Sequence, residues 1–161
     1  MKTILVRPVT KTDYDWIVQF IAERWHSARV VSRGRVIDAS GLPGFIVLKK
    51  DKPVGLATYR IYRNECELVT IDSIEEGVGV GSALIDAVRA EAIRANCIRL
   101  WLVTTNDNLP ALRFYQKRGF VFVALYCKAL QRSRELKPEI PLKGLYDIPL
   151  RDELELEMRF Q

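Results

Sequence analysis

A cluster of glycines occupies the stretch that decides the fold, which runs Glu76-Gly77-Val78-Gly79-Val80-Gly81-Ser82-Ala83-Leu84. The stretch lies between a β-rich run that ends near Ile71 and a helical pattern that begins near Val80. Glycines let the backbone approach a ligand closely and turn successive N–H groups toward it. Because a helix N-terminus adds about half a positive charge, the stretch is suited to binding a diphosphate. A tight structural turn without a ligand is the alternative that this pattern leaves open.

Two common phosphate-binding motifs fit the stretch less well. A P-loop requires Lys and then Ser or Thr after its last glycine, and no Lys follows Gly81. A dinucleotide fingerprint is nearer, because Ser82 stands where a third glycine or alanine would fall. Its acidic residue would be Asp107, which lies beyond the end of the next predicted strand, and the preceding strands read as antiparallel. The sequence therefore excludes the P-loop and ranks the dinucleotide fingerprint second.

The runs on either side of the glycines predict a sheet covered by helices. An antiparallel meander precedes them, with strands at 45–49, 53–62 and 65–71, and a helix follows over 80–95. Periodicity predicts further strands at 3–7, 98–104, 121–127 and 154–160, the last half-buried with one wet face. It also predicts a helix from Thr12 or Asp13 to Trp25, and another that Asn108 caps and Gly119 closes.

Two segments read mostly as loops, residues 26–44, with short strands at 29–31 and 35–37, and residues 138–149. The order of elements predicts an α+β fold in which helices flank a mixed, mostly antiparallel sheet.

Length, charge and cysteine content limit the classes of function that the chain could have. The chain has 161 residues, 48% of them hydrophobic, which predicts a single domain over residues 1–161. Its net charge of +5 suits phosphate-bearing ligands but is too diffuse to indicate nucleic-acid binding. The three scattered cysteines and the single histidine favour no disulfide framework, metal site or Ser-His-Asp triad, so we expect a cytoplasmic protein. No segment approaches the ~18 apolar residues of a membrane span.

A second motif follows the next predicted strand and runs Asn108-Leu109-Pro110-Ala111-Leu112-Arg113-Phe114-Tyr115-Gln116-Lys117-Arg118-Gly119-Phe120. Together the two motifs resemble the GNAT superfamily of N-acetyltransferases. The first is similar to that family's Arg/Gln-x-x-Gly-x-Gly/Ala acetyl-CoA loop, and the second to its Asn-x-x-Ala-x-x-Phe-Tyr-x-x-x-Gly-Phe helix. Glu76 departs from the pattern, because the family usually has Arg or Gln there. An exposed carboxylate near a diphosphate would cost under about 1 kcal/mol.

The resemblance implies that acetyl-CoA is the co-substrate. It also implies a splayed central strand pair, formed by the strands around 65–74 and 98–104, with the pantetheine arm of acetyl-CoA between them. The residues that the resemblance implies for binding acetyl-CoA are Ile71, Ile74, Gly79, Val80, Gly81, Ser82, Ala83, Asn108, Ala111, Phe114 and Tyr115.

Catalytic roles follow from the same resemblance. Tyr115 matches the family tyrosine that protonates the departing CoA thiolate, and a phenol of pKa ~10 can donate to a thiolate of pKa ~8.5. A core tyrosine is the alternative. For the base that deprotonates the amine, Glu65 best matches a family glutamate, while Glu67 and Asp72 lie on or beside the same strand. A solvated strand face would account for all three carboxylates.

We therefore expect an acetyl-CoA-dependent N-acetyltransferase that transfers the acetyl group directly to the amine of a small molecule or a peptide. No metal, nucleic acid or membrane partner is expected, and the terminal strand could pair across a homodimer. The alternative is a non-catalytic CoA-binding sensor or interaction module of the same fold. A small nucleic-acid binder would need basic and aromatic residues grouped on one surface, a grouping that the sequence does not display.

Overall fold

The computed structural model describes residues 3–161, and this part of the chain contains four α-helices and nine β-strands. In chain order the elements are β1 Ile4–Pro8, α1 Tyr14–Trp25, β2 Arg29–Ser32, β3 Arg35–Asp38, β4 Gly44–Lys49, β5 Lys52–Tyr62, β6 Glu65–Ser73, α2 Val80–Arg94, β7 Arg99–Thr105, α3 Leu109–Lys117, β8 Val121–Tyr126, α4 Ala129–Leu136 and β9 Glu153–Arg159. The described residues form two compact units. The first comprises residues 3–30, 38–100 and 160–161, and the second comprises residues 31–37 and 101–159.

The sheet of the first unit contains the antiparallel meander that the sequence predicts. β4 pairs with β1 on one side and with β5 on the other, and β5 pairs with β6. β6 continues to Ser73, beyond the predicted end at Ile71, so the strand reaches closer to the glycine stretch. The register shifts between Thr58 and Tyr59 of β5, where β6 carries one extra residue, Val69. Such a bulge bends a strand and re-aims the side chains that follow it.

α2 packs on this sheet through a buried apolar stripe. The buried residues of the helix are Val80, Leu84, Ile85, Val88 and Ala92. A Cβ on Gly55 would collide with the side chain of Val80, so a glycine at this point of β5 lets the first turn of α2 approach the strand. Gly55 lies opposite Ser73 in the β5–β6 register. The N-terminus of α2 is therefore held beside the end of β6.

α1 has the predicted extent, but its start differs from the prediction. A short 3₁₀ turn precedes it, and no side-chain hydrogen bond caps the helix. The carboxylate of Asp13 instead accepts the backbone N–H of Thr10 at 2.8 Å and two hydrogen bonds from Arg7, at 2.7 and 2.9 Å. Asp13 is therefore the N-cap residue of α1, one of the two predicted positions, but its carboxylate makes no cap hydrogen bond because Arg7 and Thr10 engage it.

In the second unit, the signals that bound α3 are confirmed. The side-chain oxygen of Asn108 accepts the backbone N–H of Ala111 at 3.3 Å, which is an N-cap hydrogen bond. Gly119 follows the C-cap with a φ of +91°, the left-handed conformation that glycine adopts after helices. β8 pairs antiparallel with β9.

β9 differs from the prediction, because both of its faces are covered. Glu153, Glu155 and Glu157 are only 2%, 3% and 8% exposed, and Leu156 on the other face is fully buried. The expected wet face is therefore wrong. The physical reason is that α4 and the turn between β2 and β3 supply polar partners to Glu153 and Glu155, for example the hydroxyl of Ser133 at 3.3 Å from Glu153.

The sequence does not predict α4. This eight-residue helix is polar, and only Leu130 and Ser133 are buried. The segment after it contains a short 3₁₀ turn, Leu145–Asp147, and otherwise reads as the long loop that the sequence predicts. None of the helices in residues 3–161 combines the length and the apolar character needed to cross a membrane.

β2 and β3 confirm the two short strands predicted within residues 26–44. They form a two-stranded sheet, and the turn between them consists of Arg33 and Gly34, with φ angles of +50° and +71°. Positive φ at both central residues is typical of the type I′ turn of tight hairpins. The mixed α+β fold with mostly antiparallel strands is also confirmed, while the single domain over residues 1–161 stays a prediction.

Candidate active site

The loop between β6 and α2 is an open turn built on glycines. Gly77 and Gly79 have φ angles of +74° and +81°, which L-residues with a side chain rarely adopt. A Cβ on either residue would have no atom within 4 Å, so the turn faces open space. The positive φ angles of Gly77 and Gly79 therefore set the direction of the backbone and are not required by close packing.

The first turn of α2 offers backbone N–H groups beside this loop. Gly79 is the N-cap, and the carbonyl of Gly79 accepts the N–H of Ala83 at 3.0 Å. The amide of Ala83 is therefore engaged in the helix, and a contact of Ala83 with a ligand stays a prediction. Val80, Gly81 and Ser82 lie in the first turn of α2. The first N–H groups of a helix generally point away from its body, toward a ligand or solvent. A helix of 15 residues adds its dipole to this end, so the turn fits an anion such as a diphosphate.

Two glutamates lie in the same loop and differ in environment. Glu75 forms an ion pair with Lys49, and its carbonyl accepts the hydroxyl of Ser73 at 2.6 Å. Glu76 is exposed. Because solvent screens an exposed charge, Glu76 would oppose a bound anion only slightly.

The end of β6 carries the two isoleucines that the resemblance implies for the pantetheine arm. Ile71 is half-buried and lies opposite Ala57 of β5. Ile74 is 51% exposed, and its N–H donates to the carbonyl of Val54 at 2.8 Å. The amide of Ile74 is thus engaged within the first unit, which leaves its carbonyl as the backbone group that could pair with a ligand.

Two of the candidate bases on β6 form ion pairs with arginines. Glu65 is half-buried, and its carboxylate lies 3.1 Å from a guanidinium nitrogen of Arg99. Glu67 is 3% exposed and accepts a hydrogen bond of 2.5 Å from Arg60. Both carboxylates are thus engaged by a cation within the fold.

Asp72 has a different environment from the other two carboxylates. One of its oxygens accepts the indole N–H of Trp25 at 2.6 Å. Burial raises the pKa of Asp72 to about 6, against the opposing effects of the Trp25 hydrogen bond and of the positive charge of Arg24. A carboxylate with this pKa is ionised at neutral pH and is a stronger base than an ordinary aspartate. No signal in the sequence joins these two residues, because Trp25 lies 47 positions before Asp72.

In the second unit, Tyr115 is held by aromatic neighbours. It is 7% exposed, and its ring makes edge contacts with Phe114 and Phe120 at centroid distances of 5.4 and 5.5 Å. Such contacts fix the orientation of the ring. They agree with the core tyrosine that the sequence left as the alternative, so the proton-donating role of Tyr115 stays a prediction.

The other predicted ligand residues of α3 lie along the same helix. Asn108 is its N-cap, while Ala111 and Phe114 are half-buried. The Arg118 guanidinium lies 3.6 Å from the centre of the Phe114 ring and donates to the Phe114 carbonyl at 2.9 Å. α3 therefore has its polar cap at one end and a positive charge at the other.

Metal ligands are a separate question. Throughout residues 3–161, no three His, Cys, Asp or Glu side chains are grouped so that they could hold a metal ion.

Comparisons with known proteins identify one family model and a related sequence. The sequence model described as the acetyltransferase (GNAT) family matches residues 12–120. "Uncharacterized protein YxbD" of Bacillus subtilis is 36% identical to this chain over 155 residues, which cover 96% of this chain and 98% of that protein.

Solved structures share the fold. The IAA acetyltransferase from Bacillus cereus gives a TM-score of 0.75 at 17% identity, with 98% of this chain and 100% of that chain covered. A GNAT family acetyltransferase from Elizabethkingia anophelis, crystallised with acetyl-CoA bound, gives a TM-score of 0.73 at 16% identity, with 99% and 100% covered.

Proposed function

Since the chain belongs to the acetyltransferase (GNAT) family, we propose that it transfers an acetyl group from acetyl-CoA directly to the nitrogen of an amine acceptor, a small molecule or a peptide. The observation that carries this proposal is the open turn at the N-terminus of α2, where Gly77 and Gly79 both have positive φ angles. Acetyl-CoA supplies the acetyl group as a thioester. The amides of Val80 and Gly81, together with the dipole of α2, bind its diphosphate.

Tyr115 is the proposed general acid. As the bond between the acetyl carbon and sulfur breaks, its hydroxyl donates a proton to the departing thiolate. A phenol, with an ordinary pKa of ~10, keeps its proton at neutral pH and can still donate it to a thiolate of pKa ~8.5. Phe114 and Phe120, which contact the ring, hold it in one orientation.

The base must remove a proton from an amine that is mostly protonated at neutral pH, since its ordinary pKa is ~10. Glu65, the base that the sequence predicts, is paired with Arg99 at 3.1 Å. Asp72 is the second candidate, and its raised pKa of about 6 favours it. The pH dependence of kcat/KM separates the two. If Asp72 is the base, the acidic limb of the wild-type profile, centred near that pKa, is lost in Asp72→Asn and kept in Glu65→Gln.

The test of the function has two parts, calorimetric binding of CoA and release of free thiol from acetyl-CoA in the presence of a panel of primary amines. We expect binding and amine-dependent thiol release. Gly79→Ala strains the turn and weakens CoA binding, whereas Gly41→Ala, at an exposed glycine with open space around it, leaves binding unchanged. CoA binding without amine-dependent release of thiol would favour the non-catalytic CoA-binding module. A folded protein that binds no CoA would refute both the acetyltransferase and the CoA-binding module.

A homodimer is proposed through the outer edge of β8, which differs from the terminal strand that the sequence suggests. β8 pairs with β9 on one side, and on its other side no strand of residues 3–161 pairs with it. Val121, Phe122 and Leu125 of this strand are 60%, 50% and 58% exposed. An apolar edge strand with unpaired backbone groups is a template for pairing with another chain. Nucleic acid and membranes are not among the proposed partners.

A reducing compartment, the cytoplasm, is the proposed location. Cys66, Cys97 and Cys127 are all free thiols in the structure. Burial raises the pKa of Cys66 to about 12 and also raises that of Cys97, so both thiols stay protonated and unreactive.

A further inference from the structure

The indole of Trp25 reaches the end of β6 within the first unit. Trp25 is the last residue of α1, and its Nε1–H donates to a carboxylate oxygen of Asp72 at 2.6 Å. Both residues are half-buried and belong to the first unit. An indole N–H can only donate, so this hydrogen bond holds the carboxylate in one orientation whether or not Asp72 is protonated.

Asp72 lies on the face of the sheet that is turned away from α2. A Cβ on Gly55 would meet the side chain of Val80, and Ser73 lies opposite Gly55 in the antiparallel register. The side chain of Ser73 therefore shares the face that α2 covers. Successive side chains of a strand point to opposite faces, so Asp72 points to the other face, where Trp25 contacts it. The carboxylate is thus placed beside the strand end that leads into the glycine turn.

The second carboxylate oxygen of Asp72 is the one that a ligand could use. Within residues 3–161, this carboxylate has the hydrogen bond from Trp25 and no ion pair. Glu65 and Glu67, on the same strand, each contact a guanidinium group instead. Asp72 is therefore oriented by a neutral donor, and one of its oxygens is left to accept a proton.

We propose that Trp25 is a positioning residue, whose indole N–H fixes one oxygen of Asp72 so that the other oxygen accepts a proton from the acceptor ammonium. The inference rests on the proposed function, because it takes Asp72 as the base of the acetyl transfer. The electrons of the broken N–H bond stay on the acceptor nitrogen as the lone pair that attacks the thioester carbonyl. Trp25 keeps its own proton and hydrogen-bonds the same oxygen of the resulting carboxylic acid.

Trp25→Phe keeps an aromatic ring at the end of α1 but removes the donor. On the pH plateau we expect kcat to fall about tenfold, because the carboxylate is no longer held in one orientation, while KM for acetyl-CoA is unchanged. Burial raises the pKa of Asp72 to about 6, and the hydrogen bond from Trp25 and the positive charge of Arg24 oppose this effect. Loss of the hydrogen bond therefore raises the pKa further and moves the acidic limb of the kcat/KM profile to higher pH.

Trp16→Phe is the matched control on the same helix. Trp16 is also half-buried and stacks on Phe20 at a centroid distance of 4.6 Å, but the donor to Asp72 is Trp25. This variant should keep both kcat and the position of the acidic limb. His26→Asn is a second control, because His26 is the titratable residue that follows Trp25 and Asn tolerates its φ of +66°. It should also keep the limb.

Nuclear magnetic resonance of the indole N–H groups tests the contact in the free protein, without an acceptor. The signal that disappears in Trp25→Phe identifies the Trp25 resonance among those of the three tryptophans. Protonation of Asp72 turns a charged acceptor into a neutral one, so this resonance should shift with a midpoint near pH 6. It should not shift in Asp72→Asn.

A titrating indole signal together with a displaced acidic limb in Trp25→Phe would support the inference. An indole signal that does not titrate, or a limb that stays in place in Trp25→Phe, would overturn it, while amine-dependent thiol release would still support the acetyltransferase. A titrating signal without thiol release for any amine would contradict the proposed function and, with it, the catalytic role of Trp25. The position of the limb does not depend on the amount of folded enzyme, so partial unfolding of Trp25→Phe leaves the test valid.

Discussion

Replacement of Asp72 by Asn is expected to stabilise the protein at pH 8 while it reduces catalysis. The folded protein raises the pKa of Asp72 from 3.8 to about 6, so the ionised side chain is disfavoured in the fold. A pKa difference of this size corresponds to about 3 kcal/mol. In the Asp72→Asn variant, the amide oxygen of the new side chain still accepts the indole N–H of Trp25 but carries no charge.

The raised pKa of Asp72 determines how the free energy of unfolding changes with pH. Well below pH 3.8, Asp72 is protonated in the folded and the unfolded chain, and it contributes no pH dependence. Between pH 3.8 and about 6 the unfolded chain loses this proton first, so the free energy of unfolding falls as the pH rises. Above about pH 6, the destabilisation caused by the ionised side chain of Asp72 is constant. The difference between Asp72→Asn and the wild type should therefore grow from near zero at pH 4 to ~1–3 kcal/mol at pH 8.

Urea unfolding of both proteins from pH 4 to pH 8 measures this difference directly. Asp86→Asn is the control for the chemical change itself, because Asp86 is exposed on α2 and its side chain is not buried as that of Asp72 is. A variant at Asp72 that is less stable than the wild type at pH 8, or that differs from it by the same amount at both ends of the range, would refute the reasoning.

Four further outcomes are expected. Tyr115→Phe lowers kcat by at least about 10²-fold with CoA affinity unchanged, and equal turnover would remove its acid role. Asn108→Ala costs ~1 kcal/mol in chemical denaturation because α3 loses its cap, whereas Asn108→Asp costs little. Asp13→Asn, which breaks the pair with Arg7, destabilises the fold at pH 7, and the difference from the wild type shrinks as the pH falls, since the folded state holds the pKa of Asp13 below its usual range. Leu125→Lys on β8 yields monomers in light scattering; a monomeric wild type would contradict the proposed dimer.

Local signals in the sequence predicted the elements around the glycine stretch. The cap by Asn108, the left-handed Gly119 and the two strands joined by Arg33 and Gly34 depend on a few neighbouring residues, so a single sequence reveals them. α4 was missed because only Leu130 and Ser133 of its eight residues are buried, too few for an apolar stripe.

Long-range contacts explain the remaining differences. The alternation of Leu and Glu in β9 is the pattern of a strand with one wet face, and it cannot show that Glu153 accepts a hydrogen bond from Arg33, 120 positions earlier. The same limit applies to Asp72, whose environment depends on Trp25. The sequence could thus name the carboxylates of β6 but could not rank them as bases.

The positions of the three cysteines allow local opening of the fold to be measured by chemical labelling. Cys127 is exposed, whereas Cys66 and Cys97 are 0% and 5% exposed, so an alkylating reagent should label one sulfur in the native chain and three after denaturation. Slow labelling of Cys66 and Cys97 under native conditions then measures how often the first unit opens locally, because both buried cysteines lie there. Mass spectrometry of partly labelled chains would show whether local opening exposes the two thiols together or one at a time.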